Sequence, residues 1–490
     1  MFYNYLRMAL RQMRRNKLYS AINVFCLAAG ITVTMTILLY VLHERSYDRW
    51  HRDSKRIFTL TSGQHWGSGV FFNPMLSVAS GPEALQADPS VRSMMRMFSG
   101  FLGVDLQNTA NPEVHFRETR DFYFADSNFF RFFSFRLLRG QAANVLSRPF
   151  TVVLTESEAR KYFGAEDPVG KILQMDDRFP LEVTGVAADV PSNSTIRFGM
   201  IASLSTMRSI EKYTPYLNGQ RLGAYGAFTT WLLLNDAGDT TRVQQNLART
   251  AMAIEGRTKA DDAFGFAKET HQFRLYLMGD QYARSAFGKD RQYLGPLTLV
   301  AGVILLLALV NYMSLATARA AARAKEVGVR KVLGAARISL AGQFYTESVL
   351  YAGVAFAAGG LLFFWFRGYF YQLLQWKIDS SFASNPLVLA VFAGLFLLIA
   401  AIAGSYPALV LSHFRPVAVL YGKLSRQMGA ERVRKAFIVL QFSISMTLVI
   451  CSFMIGKQMY FIRHTDTGID RENIVMLPFA QTMQHHESNR

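Results

Sequence analysis

Five apolar runs, near 20–42, 294–318, 340–366, 387–411 and 436–460, punctuate this chain of 490 residues. Each is long enough to cross a bilayer as a helix, which takes roughly 20 residues at about 1.5 Å of rise apiece. Between the first and second runs lies a polar stretch, 43–293, large enough for one or two folded domains. Its patterning is mixed α/β. PFTVVLTESEARKYFG, from Pro149, reads as a strand, then an N-cap at Thr155 with Glu158 three residues on, then a helix. LEVTGVAADV, from Leu181, is a β-branched run ending before Pro191, and FTTWLLLND, from Phe228, is another strand. VQQNLARTAMAI, from Val243, has helical spacing. Aromatics crowd 122–135, where FYFADSNFFRFFSF is broken too regularly by polar residues to span a membrane. That segment reads as a core or a subdomain contact.

Composition agrees with this division. Hydrophobic residues make up 51% of the chain and mean hydropathy is +0.13, which suits a membrane protein with a large water-facing part. Charge then orients the chain. The stretch 43–293 holds 30 Lys and Arg against 27 Asp and Glu, so most of the net charge of +18 comes from elsewhere. Three short segments carry 17 basic residues against two acidic. Residues 1–19 contain Arg7, Arg11, Arg14, Arg15 and Lys17. Residues 319–337 contain Arg319, Arg323, Lys325, Arg330, Lys331 and Arg337 against Glu326. Residues 412–435 contain Arg415, Lys423, Arg426, Arg432, Arg434 and Lys435 against Glu431. All three fall on one side if the five spans alternate, and Lys and Arg accumulate on the cytoplasmic side. The N-terminus is then cytoplasmic, while 43–293, the 367–386 loop and the C-terminus lie outside. A nucleic-acid partner is disfavoured, because the basic residues hug the membrane rather than one soluble face. The first run ends in YVLHERSYD with no small-x-small cleavage site, so it reads as an uncleaved anchor. Cys26 and Cys451 lie inside spans, so the outer domain has no disulfide and both thiols read as small buried hydrophobes.

The segment RAKEVGVRKVLGA, Arg323 to Ala335, is ordered as well as basic. Val327, Val329, Val332 and Leu333 form an apolar stripe at near-helical spacing, with Lys and Arg between them. Two readings stand: a short amphipathic helix that a cytosolic partner grips, or a patch that only sets orientation. Gly328 and Gly334 cost a helix roughly 1 kcal/mol each relative to Ala, which points to close backbone approach or a turn, with Gly334 ending the helix. A repeat is also visible. ERVRKAFIVLQFSISMTLVICSFMIGKQMYF, from Glu431, has the layout of RQMRRNKLYSAINVFCLAAGITVTMTILLYV, from Arg11. The second copy leads into GIDRENIVMLPF, which reads as the first strand of a new outer domain. The other reading is a fifth helix with a short outer tail.

Enzyme motifs are weak. The nearest string to a phosphate-binding loop is GAEDPVGKI at Gly164, one residue too long, with Ile172 where Ser or Thr should stand. Lys171 there reads as a solvated turn residue. HExxH, CxxC and GxSxG are lacking, so no catalytic, cofactor or metal residue is assigned. His485, His486 and Glu487 read as a solvated tail. Asn193-Ser194-Thr195 is a glycosylation sequon and reads as idle in that role. Within the spans Asn311, Thr317 and Glu347 are polar or charged, and Glu347 reads as paired with the basic segment before it.

Several of these stretches together resemble one family. NYLRMALRQMRRNKLYSAINVFCLAAGI with HERSYDRWH, VVLTESEARKYFGAEDPVGK with TGVAADVPSNSTIRF, and RAKEVGVRKVLGA look like an FtsX/MacB-like ABC-transporter permease. SYPALVLSHFRPVAVL, from Ser405, is similar to the cytoplasmic exit of that family's fourth span. The resemblance implies an α-helical membrane protein with five transmembrane helices and a large mixed α/β extracytoplasmic domain of the MacB type. It lays the chain out as a cytoplasmic segment 1–19, a first helix 20–42, the outer domain 43–293 and an FtsX-like membrane region 294–411. The cytoplasmic loop 412–435, a fifth helix 436–460 and an outer tail 461–490 follow. The resemblance also implies that the coupling loop 319–337 docks on a cytosolic ABC-type ATP-binding subunit through Arg323, Lys325, Glu326, Val327, Gly328, Val329, Arg330, Lys331, Gly334 and Ala335. The repeat is similar to double-length permeases, which implies a dimer or pairing with a second permease half in the bacterial inner membrane. Export, activation of a cell-wall hydrolase, and an ATPase-independent membrane sensor are the functions in view. Cysteines introduced into 43–293 should react with a membrane-impermeant thiol reagent in intact spheroplasts, and cysteines in 319–337 should not; the reverse pattern overturns the orientation.

Overall fold

The computed structural model describes residues 2–66, 69–99, 103–118, 121–218, 221–255, 269–280, 293–322, 333, 336–373, 378–412 and 428–465. The chain divides into two compact units. One, the membrane unit, runs to Arg45 and resumes at Arg291; the other, the sheet unit, runs from Ser46 to Asp290.

Among the described residues, five helices are long and apolar enough to cross a membrane. They are Lys17–Arg45, Leu294–Ala322, Arg337–Leu373, Pro386–Ser412 and Met428–His464. Each extends beyond its apolar run, because polar turns at the ends continue the backbone hydrogen bonding. The two copies of the repeat differ at one point. Before the first span the basic segment is a separate helix, Phe2–Arg15, whereas before the fifth it is continuous with the span. The break falls at Asn16, whose side-chain amide bonds the Gln12 carbonyl. The matching residue of the second copy is Ala436, and alanine favours helix where asparagine competes with the backbone.

The first span packs against the second and third through small residues and hydroxyls. A Cβ on Gly30 would lie 2.5 Å from the Ala308 Cβ, and one on Gly359 would lie 3.0 Å from the Ala28 carbonyl oxygen. The Thr32 hydroxyl donates to the Ala28 carbonyl at 2.8 Å and to the Gly359 carbonyl at 3.0 Å. Thr34 donates to Gly30 at 2.8 Å and reaches Ala301 at 3.4 Å. Leu27, Ile31, Met35 and Leu39 fill the space around these contacts, with Leu305, Leu309, Tyr351 and Phe392. Without a hydrophobic driving force between helices in lipid, such close approach and interhelical bonding hold a bundle together.

The sheet unit is built on one mixed sheet of 14 strands among the described residues. Its main path runs Glu269–Leu277, Ile57–Trp66, Phe228–Leu234, Val91–Ser99, Phe122–Ala125, Met200–Ser203, Thr151–Thr155, Phe179–Ala187, Ile172–Met175, Val104–Asn108, Asn111–Glu118. Two pairs are parallel, Thr151–Thr155 with Phe179–Ala187 and Phe122–Ala125 with Met200–Ser203. Central Thr151–Thr155 is buried at every position, while Val104–Asn108 alternates because it faces partly outward. The helix Glu156–Phe163 starts as expected, with the Thr155 hydroxyl accepting the Glu158 N–H at 3.4 Å. The Glu158 carboxylate does not reach back to close a capping box; it pairs with Lys161 at 3.1 Å. The aromatic segment 122–135 is core: Phe129, Phe130, Phe132, Phe133 and Phe135 pack with Phe198 and Trp231.

Two expectations change. Cys26 is half-buried and Cys451 is exposed, so neither is the buried hydrophobe read from sequence. Both do lie on span helices, but Cys451 rides a helix whose most apolar window has none of its residues buried. The tail strand GIDRENIVMLPF and the histidines 485 and 486 lie outside the described residues. Gly30→Val should destabilise the membrane unit by about 1–3 kcal/mol, the usual cost of overpacking. Gly302→Val, where a Cβ meets nothing within 4 Å, serves as the control. Equal unfolding of the two variants in detergent titrations contradicts the close-packed seam.

Candidate functional site

The expected docking residues Arg323, Lys325, Glu326, Val327, Gly328, Val329, Arg330, Lys331, Gly334 and Ala335 lie outside the described residues. Their flanks are described. The second span ends at Ala322, the third begins at Arg337, and Leu333 between them is exposed. The third span runs parallel to the first: Tyr5 bonds Ser339 at 2.9 Å, Ser20 bonds Tyr351 at 2.7 Å, and Thr32 reaches Gly359. The second span runs antiparallel to the first, with Gly30 at Ala308 and Thr34 at Ala301. Both helices that border the segment therefore end on the face of the bundle that holds the basic helix Phe2–Arg15.

The sheet unit begins with a locked turn. After Arg45 the chain passes through Ser46–His51 before entering its first strand at Ile57. Asp48 is fully buried and adopts φ 56, a left-handed conformation that Asp tolerates better than most side chains. Its carboxylate accepts the Thr195 N–H at 2.9 Å, the Ser194 hydroxyl at 3.2 Å and the Thr195 hydroxyl. Its own N–H donates to the Asn193 carbonyl at 3.0 Å, and the Asn193 amide donates to the Ser46 hydroxyl at 2.9 Å. A second clamp follows. The Ser134 N–H donates to His51 Nδ1 at 3.0 Å, and the Arg52 N–H donates to the Ser134 hydroxyl at 2.9 Å. Trp50 stacks on His51 with ring centroids 3.8 Å apart, and Phe135 meets both edge-on. Buried charge is stable here because the carboxylate's lone pairs are bonded on several sides.

Sequence reading missed this joint. HERSYDRWH and PSNSTIRF both carried the family resemblance, yet nothing in their spacing says that they touch; Asp48 and Thr195 are 147 residues apart. Asn193 of the sequon has a structural part: it is buried and its amide donates to Ser46, which leaves it unsuited to carry a glycan. The loop at Gly164 is also structural. Lys171 pairs with Glu166 and lies 5.4 Å over the Phe163 ring, and Lys171 holds the Glu166 carboxyl below its ordinary value. Glu347, expected to pair with the basic segment before it, is half-buried; Arg323, Lys325, Arg330 and Lys331 of that segment lie outside the described residues.

Burial lowers the His51 pKa from 6.5 to about 4. With Nδ1 accepting a backbone N–H, the ring is held neutral with its proton on Nε2. As pH falls through this window the unfolded histidine takes up a proton that the folded one refuses, so stability is present above 6.5 and is lost towards 4. The loss amounts to about 3 kcal/mol at most. Chemical unfolding of the full chain in detergent between pH 7 and 4 should show this slope, and His51→Gln should flatten it; an equal slope in both proteins contradicts the neutral, buried ring.

Two family descriptions match the chain. The MacB-like periplasmic core domain matches residues 20–250, and the FtsX-like permease C-terminal region matches residues 298–416. Among curated relatives, the macrolide export ATP-binding/permease protein MacB of Chromobacterium violaceum is 23% identical over 421 residues, covering 84% of this chain and 60% of that protein. The protein of the same name from Burkholderia lata is 25% identical over 278 residues, covering 55% of this chain and 35% of the relative. This chain thus spans between about a third and three-fifths of these relatives' length. The crystal structure of the periplasmic region of MacB from Actinobacillus actinomycetemcomitans aligns with a TM-score of 0.32 at 17% identity, covering 47% of this chain and 91% of that one. The locked turn and all of the sheet but its edge strand Glu269–Leu277 lie inside the first match, and spans two to four lie largely inside the second, so the chain carries the two domains of the FtsX/MacB-like permeases.

Proposed function

We propose that this protein is the permease subunit of a bacterial ABC transporter in the cytoplasmic membrane. ATP is hydrolysed by a separate ATP-binding subunit docked on 319–337, and the motion travels along the spans to the domain of residues 43–293. That domain lies outside the cell membrane and works in export or mechanotransmission. The observation that carries this reading is the gathering of the two helix ends that border the docking segment with the basic helix Phe2–Arg15, on one face of the bundle. A partner gripping that segment holds two spans at once. Export is supported by the names of the relatives, both macrolide export ATP-binding/permease proteins.

In the docked state Glu326 and the flanking Arg and Lys make charged contacts, while Val327, Val329 and Val332 present an apolar face. A second permease half, or a second copy of this chain, completes the assembly. The fifth helix supports that partnership, because none of the residues in its most apolar window is buried within this chain.

Glu326→Lys and Gly334→Leu should leave the protein inserted and folded. Each should lower its binding to the ATP-binding subunit and reduce stimulated ATP hydrolysis severalfold. Unchanged binding and hydrolysis in both variants would mean that the segment is only an orientation signal.

A further inference from the structure

Asn23 is buried in the first span at 2% exposure, and among the described residues neither its amide nitrogen nor its oxygen has a hydrogen-bond partner. The large majority of buried side-chain polar atoms in proteins are paired, and lipid offers no water as a substitute. An amide unpaired at both ends therefore weighs against the conformation that holds it. Its direction follows from its helix. Gly30 and Thr34, seven and eleven residues on, both face the second span, at Ala308 and Ala301. At 3.6 residues per turn Asn23 shares their face.

The antiparallel register then sets what lies opposite. Two turns before Gly30 on the first span corresponds to two turns after Ala308 on the second, the turn around Leu315. On that turn Ser314 has a buried hydroxyl that also lacks a partner among the described residues. A helical Ser or Thr commonly bonds back to the carbonyl four residues before it, as Thr32, Thr34 and Thr36 do. Ser314 does not. Two unpaired polar side chains thus stand at one level on adjacent helices, offset by about a quarter turn around the second span. The link from the first span to the third is satisfied one turn away, where Ser20 bonds Tyr351 at 2.7 Å.

We infer that Asn23 and Ser314 are the two halves of an interhelical hydrogen bond that forms when the second span rotates about its axis, and that this structure holds the bundle with that bond open. The inference rests on the docking reading, because the second span is the helix that leads into 319–337 and turns when a partner pulls there. The open state leaves an amide and a hydroxyl unpaired, and the rotated state satisfies both. The pair therefore favours rotation, while the Ser20–Tyr351 bond keeps the first and third spans in register.

The test uses the full chain in native membranes, with Cys26→Ala and Cys451→Ala as background. One variant carries Asn23→Cys with Ser314→Cys, and a control carries Ile31→Cys with Gly359→Cys, a first-to-third-span pair whose Cβ atoms would lie 3.2 Å apart. Disulfide formation under copper phenanthroline is compared without nucleotide and after trapping the co-purifying ATP-binding-cassette protein with ATP and vanadate. The control should cross-link in both conditions, and the Asn23/Ser314 pair should cross-link severalfold more in the trapped state. If the ATPase co-purifies and hydrolyses ATP but the pair's yield does not change, the inference falls and the docking reading stands. If no ATPase associates with the chain, the docking reading falls and the pair is judged by stability. Asn23→Leu should then raise the thermal unfolding midpoint of the full chain in detergent, because it removes the unpaired amide; an unchanged or lowered midpoint overturns the inference.

Discussion

Inside a bilayer no water satisfies a stray amide or hydroxyl, and this constraint governs how the first span meets its neighbours. Its hydroxyls are spent on carbonyls. Thr32 serves both its own helix and Gly359 of the third span, and Thr34 serves its own helix and Ala301 of the second. Such bonds need close backbones, so glycines stand at the contact points. At Gly30 and Gly359 there is no room for a Cβ without displacing a neighbour. The composition of the span follows from its packing: small residues and hydroxyls on the faces that meet other helices, and larger apolar side chains around them.

Past Arg45 the solvent changes and so does the rule. A buried charge becomes tolerable once enough donors surround it, and Asp48 has the Thr195 N–H and the hydroxyls of Ser194 and Thr195. The left-handed backbone at Asp48 turns the chain, and the bonds to 193–195 hold that turn. The aromatic nest around Trp50, His51 and Phe135 then fixes the imidazole that accepts the Ser134 N–H in the second clamp. These contacts make the start of the sheet unit a fixed point rather than a loose linker, which suits a chain whose proposed work is to carry motion.

The candidate site was legible only in part. The docking segment stands out because charge and apolar spacing are local properties, readable in thirteen consecutive residues from Arg323 to Ala335. The Asp48 joint does not, because its halves are 147 residues apart and each looks like an ordinary polar loop. The unpaired state of Asn23 was equally hidden. An asparagine among apolar residues is visible in the sequence, but its lack of a partner is a statement about two other helices. Cys451 shows the same limit from the other direction: its place on a span was readable, and its outward face was not.

What the sequence determined by itself is whatever depends on neighbours along the chain. Five spans follow from the length of apolar runs, the division into a membrane part and a mixed α/β part from the change in pattern, and the cap at Thr155 from Thr155 with Glu158 three residues on. The tertiary structure decided what depends on residues far apart. Strand Ile57–Trp66 finds Phe228–Leu234 on one side and Glu269–Leu277 on the other, across more than 150 residues of intervening chain. Periodicity tells a strand which face to bury, but not which strand to lie beside. That choice belongs to the packing of the whole sheet, as the pairing of Asp48 with Thr195 belongs to the turn and the loop together.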